Sequence, residues 1–226
     1  MKPYEELART TSPDGTQLVL LHRAGDYYIE MDGAALMSTR TTGTERALAE
    51  LAIRSLVEVK RPRVLIGGLG LGFTLGAALD ALPRSAKVVV AEIFPPLVEW
   101  NRRYRFESSK DRLADPRVTV EARDVRLVLE AASRSFDAVL LDVDNGPDSH
   151  CIRANHRLYR PEGLACIREA MRPEGILAIW SAGPAPGFER HLRRAGFLAE
   201  TAAARSAGRK GTRHLVFLGR LPKARG

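Results

Sequence analysis

At 226 residues, 45% hydrophobic and 27% charged, the chain has the size and balance of one globular domain with a sizeable core. No apolar run is long enough to span a bilayer, MKPYEELART lacks the apolar core of a signal peptide, and Cys151 and Cys166 are too few for a disulfide framework, so a reducing cytoplasm is the expected compartment. The net charge of +8 arises from Gly187 onward, where ten Lys/Arg face two acids while the rest carries 25 of each; Phe188, Phe197 and Phe217 sit there at core-type positions, so this basic part reads as a solvated edge in preference to a nucleic-acid surface.

In chain order, Gln17 to His22 and Tyr27 to Met31 read as strands, Asp32-Gly33 as a tight turn and Ala35 to Ser38 as a third strand. This predicts a small antiparallel β element over residues 1–42, with an exposed edge able to pair in a homodimer. Thr44 to Val59 reads as a helix with Leu48, Leu51, Ala52, Leu56 and Val59 on one face, capped by Thr44 and ended by Pro62.

A second region, 43–226, then alternates strands and helices. Its first strand is the buried run Val64-Leu65-Ile66, which enters the glycine-rich turn GGLGLG and a helix from about Phe73 to Leu82. Glycines at 67, 68, 70 and 72 permit positive φ and close approach of a ligand to the backbone. Strand 87–92 ends in Glu92, and an acid there suits a ribose diol. Next come helix 95–105 behind Pro95-Pro96, a polar loop from Glu107 to Pro116, strand 117–121, helix 124–133 and strand 137–142. A long loop from Asp144 to about Tyr159 leads to helix 162–171, strand 175–181, a helix near 187–194 and strands 197–204 and 213–219.

Such alternation predicts a mostly parallel sheet with helices on both faces. The terminal β-hairpin puts one antiparallel strand into it, which is the Rossmann-like arrangement of S-adenosylmethionine-dependent transferases. Chemistry is then expected at the carboxyl ends of the strands. Asp124, where a strand hands over to a helix, suits either an adenine amino group or a helix N-cap. Asp142, Asp144 and Asp148, with Asn145, lie within seven residues, where carboxylates can hold a cationic amine and take its proton; the alternative for all three is a turn-forming Asx cluster around Gly146-Pro147. His150, His156 and Cys151 in the same loop read as surface residues. Trp180, ending the fifth strand of this region, suits a pocket wall or the core, and Trp100 the core. No Cys or His spacing suggests a metal.

The order VLIGGLGLG, VVVAEIFPPLVEWNR, ARDVRLVLE, FDAVLLDVDNGPD and LYRPEGLACIREAMRPEGILAIWSA resembles the spermidine synthase family of polyamine aminopropyltransferases, and IEMDGAALMS is similar to the end of that family's N-terminal β element. The resemblance implies a donor site of Gly67, Gly68, Gly70, Glu92, Asp124 and Val125. It implies catalytic roles for Asp142 and Asp144, with Asp142 deprotonating the amine, and acceptor contacts at Asn145 and Tyr159. The implied donor is decarboxylated S-adenosylmethionine, with no metal, and the implied partner is a small-molecule amine. This sequence departs from the family's D-S-S-D-P or D-S-T-D-P loop and carries Leu36-Met37 where Gln often follows the DG turn. Two alternatives stand beside aminopropyl transfer: an S-adenosylmethionine-dependent methyltransferase, suggested by Asn145-Gly146-Pro147, and a non-catalytic nucleoside-binding protein.

Overall fold

Two sheets organise the computed structural model, which describes residues 3–11, 15–106, 111–143, 146–147, 156–205 and 212–223. The first is an antiparallel meander of β1 (Glu5–Thr11), β2 (Gln17–Arg23), β3 (Asp26–Met31) and β4 (Ala34–Ser38). The β3–β4 turn is the expected Asp32-Gly33, both at positive φ, and the Asp32 carboxylate accepts from the Gln17 backbone N–H at 2.8 Å. Strand β1 was not expected. Its sequence, EELARTT, lacks the apolar alternation of a strand, and only Leu7 and Ala8 reach the core.

Helix α1 (Gly43–Ile53) is shorter than its periodicity predicts. It tightens into a 3-10 turn over Arg54–Leu56 before Pro62, and its cap is Thr42. Thr44 is buried inside the first turn, where its hydroxyl bonds the Glu45 carboxylate at 2.7 Å.

The second sheet comprises β5 (Arg63–Gly67), β6 (Lys87–Ala91), β7 (Val118–Glu121), β8 (Phe136–Leu141), β9 (Met171–Ser181), β10 (Leu198–Arg205) and β11 (Arg213–Arg220). Their order is β10-β11-β9-β8-β5-β6-β7, with β11 antiparallel to both neighbours and β5, β6, β7, β8 and β9 parallel to one another. The antiparallel ending is therefore as the sequence predicts. Strand β9 begins at Met171, earlier than expected, because Met171 pairs with Phe136 across an irregularity in the ladder.

Between the strands run α2 (Phe73–Ala81), α3 (Pro95–Tyr104), α4 (Val125–Glu130), α5 (His156–Tyr159), α6 (Pro161–Ala170) and α7 (Phe188–Arg194). One face of the sheet buries Leu48, Ala52, Leu75 and Ala78 of α1 and α2 against Ile66, Leu140 and Ala178. The other buries Val125, Leu129, Leu164 and Ile167 of α4 and α6 with Phe188, Phe197 and Phe217, the three aromatics expected in the core. In a third cluster, Leu18, Leu20 and Ile29 of the small sheet pack with Leu71, Phe73, Leu97 and Trp100. The small sheet thus shares its core with the glycine turn and α3.

Candidate active site

The connection from β5 runs to β6 on one side, while its other neighbour is β8. In an open α/β sheet this reversal opens a crevice at the carboxyl ends of the two strands. Residues 67–72 stand at one lip and Asp142 at the other.

The turn is held by the backbone and by two buried side chains. Gly68 N–H donates to the Ala91 carbonyl at 2.9 Å, and Asp142 N–H donates to the Gly67 carbonyl at 2.8 Å. Gly68 has φ +87°, and a Cβ there would lie 2.2 Å from the Asp142 carbonyl oxygen, so only glycine fits. Glu92 is 4% exposed; its Oε2 accepts from Leu69 N–H and its Oε1 from Phe94 N–H, each at 2.8 Å. Burial pushes its carboxyl above the usual range, opposed by backbone hydrogen bonds from Phe94, Leu69, Gly70 and Ile93. The acid expected to meet a ribose therefore also fastens the turn on which that ribose would rest. The Asn101 side-chain amide donates to the Gly70 carbonyl at 2.8 Å from α3, and the Met37 sulfur of β4 lies 3.0 Å from where a Gly70 Cβ would stand.

Asp142 directly follows β8. Its Oδ2 accepts from the Thr74 hydroxyl at 2.7 Å, which ties the carboxylate to the first turn of α2. The Thr74 hydroxyl also lies 3.3 Å from the Glu45 carbonyl of α1. A partly buried carboxylate held in one orientation beside a glycine turn can accept a proton from a ligand in the crevice.

The remaining expected residues divide. Asp124 caps α4: its Oδ1 accepts from Arg126 N–H at 2.8 Å and its Oδ2 pairs with Arg126 Nε at 3.1 Å. Val125 is buried, and its Cγ2 stands 2.9 Å from where a Gly67 Cβ would be. Tyr159 is the residue expected against an acceptor. Its ring is buried edge-on to Phe188, 5.9 Å between centroids, in the core that also holds α4 and α6; it follows Leu158 in the short helix α5, which turns both side chains inward. Asp144, Asn145, Asp148, His150 and Cys151 lie outside the described residues. Among the described residues, no group of three His, Cys, Asp or Glu could hold a metal, and no helix is long and apolar enough to cross a membrane.

No family model matches the chain. It is 31% identical over 161 residues to polyamine aminopropyltransferase 2 of Pseudomonas aeruginosa, a match covering 68% of this chain and 43% of the relative. It is 28% identical over 164 residues to polyamine aminopropyltransferase of Oceanobacillus iheyensis, covering 70% of this chain and 30% of the relative. The fold superposes on spermidine synthase of Thermotoga maritima with a TM-score of 0.76 at 18% identity, covering 95% of this chain and 72% of that one. For a probable spermidine synthase from Corynebacterium glutamicum the TM-score is 0.67 at 16% identity, with 97% and 81% covered.

The curated matches and the fold support a spermidine synthase-like family. The chain's matches span less than half the length of the curated aminopropyltransferases. Within this spermidine synthase-like fold, three residues of the crevice were not anticipated: Thr74, Asn101 and Met37. Thr74 carries a weak signal, since a hydroxyl in the first turn after a glycine loop is placed to bond a neighbour. Asn101 and Met37 carry none, because each meets the turn from an element distant in sequence.

Proposed function

We propose that this chain transfers an aminopropyl group from decarboxylated S-adenosylmethionine to a small-molecule amine, with Asp142 as the base. The observation that carries this reading is the Asp142 carboxylate, held by Thr74 at 2.7 Å, with its backbone joined to Gly67 at 2.8 Å. The donor's sulfonium supplies an electrophilic carbon. The chain's own task is then to align the amine nitrogen with that carbon and to accept the proton the amine loses as the new C–N bond forms and the C–S bond breaks.

Gly67, Gly68 and Gly70 keep the turn free of side chains, so the donor nucleoside can lie against the backbone. Glu92 borders the ribose at the turn it fastens, Asp124 and Val125 border the adenine, and Asp144, Asn145 and Tyr159 belong to the acceptor side. The 31% identity to an aminopropyltransferase supports the donor class.

Calorimetric titration with S-adenosylmethionine, its decarboxylated form and methylthioadenosine tests the reading. Preference for the decarboxylated donor, followed by methylthioadenosine release when an amine is added, is expected. Preference for the intact donor overturns it in favour of methyl transfer, and no binding of any of the three removes the enzyme altogether.

A further inference from the structure

The ladder between β8 and β9 pairs Leu140 with Ala178 and Leu141 with Ile179. One step further along the parallel strands, Asp142 stands beside Trp180. Side chains alternate between faces, and both residues fall on the face that packs against α1 and α2: Asp142 through its bond to Thr74, Trp180 through its contacts with that core. On the next strand, Val216 pairs with Trp180, and His214 shares the face of Val216. The His214 imidazole stacks on the indole at 5.1 Å and 25°. A row of three polar side chains, Asp142, Trp180 and His214, therefore crosses the edge of the sheet formed by the carboxyl ends of β8 and β9 and the amino end of the antiparallel β11.

Two atoms of this row stand out among the described residues. The indole Nε1 of Trp180 and the Nδ1 of His214 are both buried and make no hydrogen bond. Unpartnered buried nitrogens are rare in folded proteins and call for a partner. The indole nitrogen can only donate. Shielding from bulk water strengthens any hydrogen bond it makes.

Resting on the reading of Asp142 as the residue that meets the reacting amine, we propose that Trp180 and His214 form the far end of the acceptor pocket and select an amine whose other end carries an oxygen acceptor, as an amino alcohol or an ω-amino acid does. A second ammonium, as in a diamine, brings only donors and leaves the indole N–H unmatched. An alcohol or carboxylate oxygen accepts from it. The acceptor then lies along the strand ends, its nitrogen at Asp142 and its oxygen at the aromatic pair.

The test compares 1,4-diaminobutane, 4-aminobutanol and 4-aminobutanoate as acceptors at saturating decarboxylated S-adenosylmethionine, reading methylthioadenosine release for the full chain and for Trp180→Phe and His214→Gln. The wild type is expected to show a lower KM for an oxygen-bearing amine than for the diamine. Losing one such hydrogen bond in Trp180→Phe should raise that KM about three- to tenfold with donor affinity unchanged. His214→Gln should shift it in the same direction. A wild type that prefers the diamine, or a preference that survives both substitutions, overturns the proposal. Indole fluorescence is followed in parallel, since Trp180→Phe leaves Trp100 as the one indole. If no acceptor releases methylthioadenosine, aminopropyl transfer fails, and the fluorescence titration decides the subsite. Quenching by the oxygen-bearing amines that vanishes in Trp180→Phe sustains it, and no quenching refutes it.

Discussion

A Cβ on Gly68 would stand 2.2 Å from the carbonyl oxygen of Asp142, so the turn after β5 and the end of β8 meet with no room for a side chain between them. The strand end that carries the carboxylate and the turn proposed to carry the nucleoside are thereby one rigid unit. Gly68→Ala forces a residue at φ +87° against backbone that cannot yield as a flexible side chain would. Unfolding in urea is expected to show a loss of about 2–4 kcal/mol, and donor titration a loss of affinity. Wild-type values for both would show that the two segments part easily.

Asp142→Asn keeps the shape of the side chain and removes the base. Turnover is expected to fall by about 10²- to 10⁴-fold while donor affinity stays near wild type. Thr74→Val leaves the carboxylate in place without its 2.7 Å hydroxyl partner. Its kcat should fall less, on the order of tenfold, through loss of orientation. Equal kinetics for wild type and Asp142→Asn would move the base elsewhere.

Glu92 makes a prediction in pH. Its carboxyl is raised above the ordinary glutamate value of 4.5, burial being the larger cause. A group that titrates higher folded than unfolded binds more protons in the folded state. Its contribution is fully present below 4.5 and is lost as pH climbs from there through the folded value. Unfolding free energies of the wild type and Glu92→Gln, measured side by side from pH 4 upward, should therefore diverge, the wild type losing ground to the variant. Parallel curves would mean that Glu92 titrates normally. Glu92→Ala should in addition weaken donor binding severely, since it also releases Leu69 and Phe94.

Asp124 has a visible structural task as the cap of α4. Removing a capping carboxylate costs about 1 kcal/mol, so Asp124→Ala should remain folded. If the residue also borders the adenine, the variant's donor affinity will drop while that of an Asp111→Ala control, which removes the cap of the 3-10 turn at Arg112–Ala114, will not. A loss of stability alone would leave Asp124 a cap and nothing more.

At the opposite end of the sheet, Asp137 is 8% exposed and accepts from Arg63 N–H at 2.8 Å and from Arg172 Nη1 at 2.9 Å. Asp137→Ala strands the backbone N–H of the central strand and is expected to cost about 2–3 kcal/mol. Its kinetic constants should match those of the wild type. A changed kcat in a stable variant would reveal coupling along β8.

The sequence by itself determined the alternating strands and helices, the antiparallel ending and the strand ends that bear Gly67, Glu92, Asp124 and Asp142. Those features follow from local rules: apolar runs of strand length, glycines where φ must be positive, and polar residues where a buried strand emerges. It was silent on β1, whose EELARTT has no alternation to read and which is a strand because β2 offers a free edge. Only the tertiary structure decided that Glu92 turns Oε2 onto the backbone of the glycine turn at Leu69, that Thr74 holds Asp142, that Asn101 and Met37 close on Gly70, and that Tyr159 faces Phe188 in the core. Each of these joins residues distant in sequence, and no local preference encodes which partner a buried polar or aromatic side chain will find. That is settled when the strands take their register and bring Asp142 beside the glycine turn on one side and Trp180 on the other.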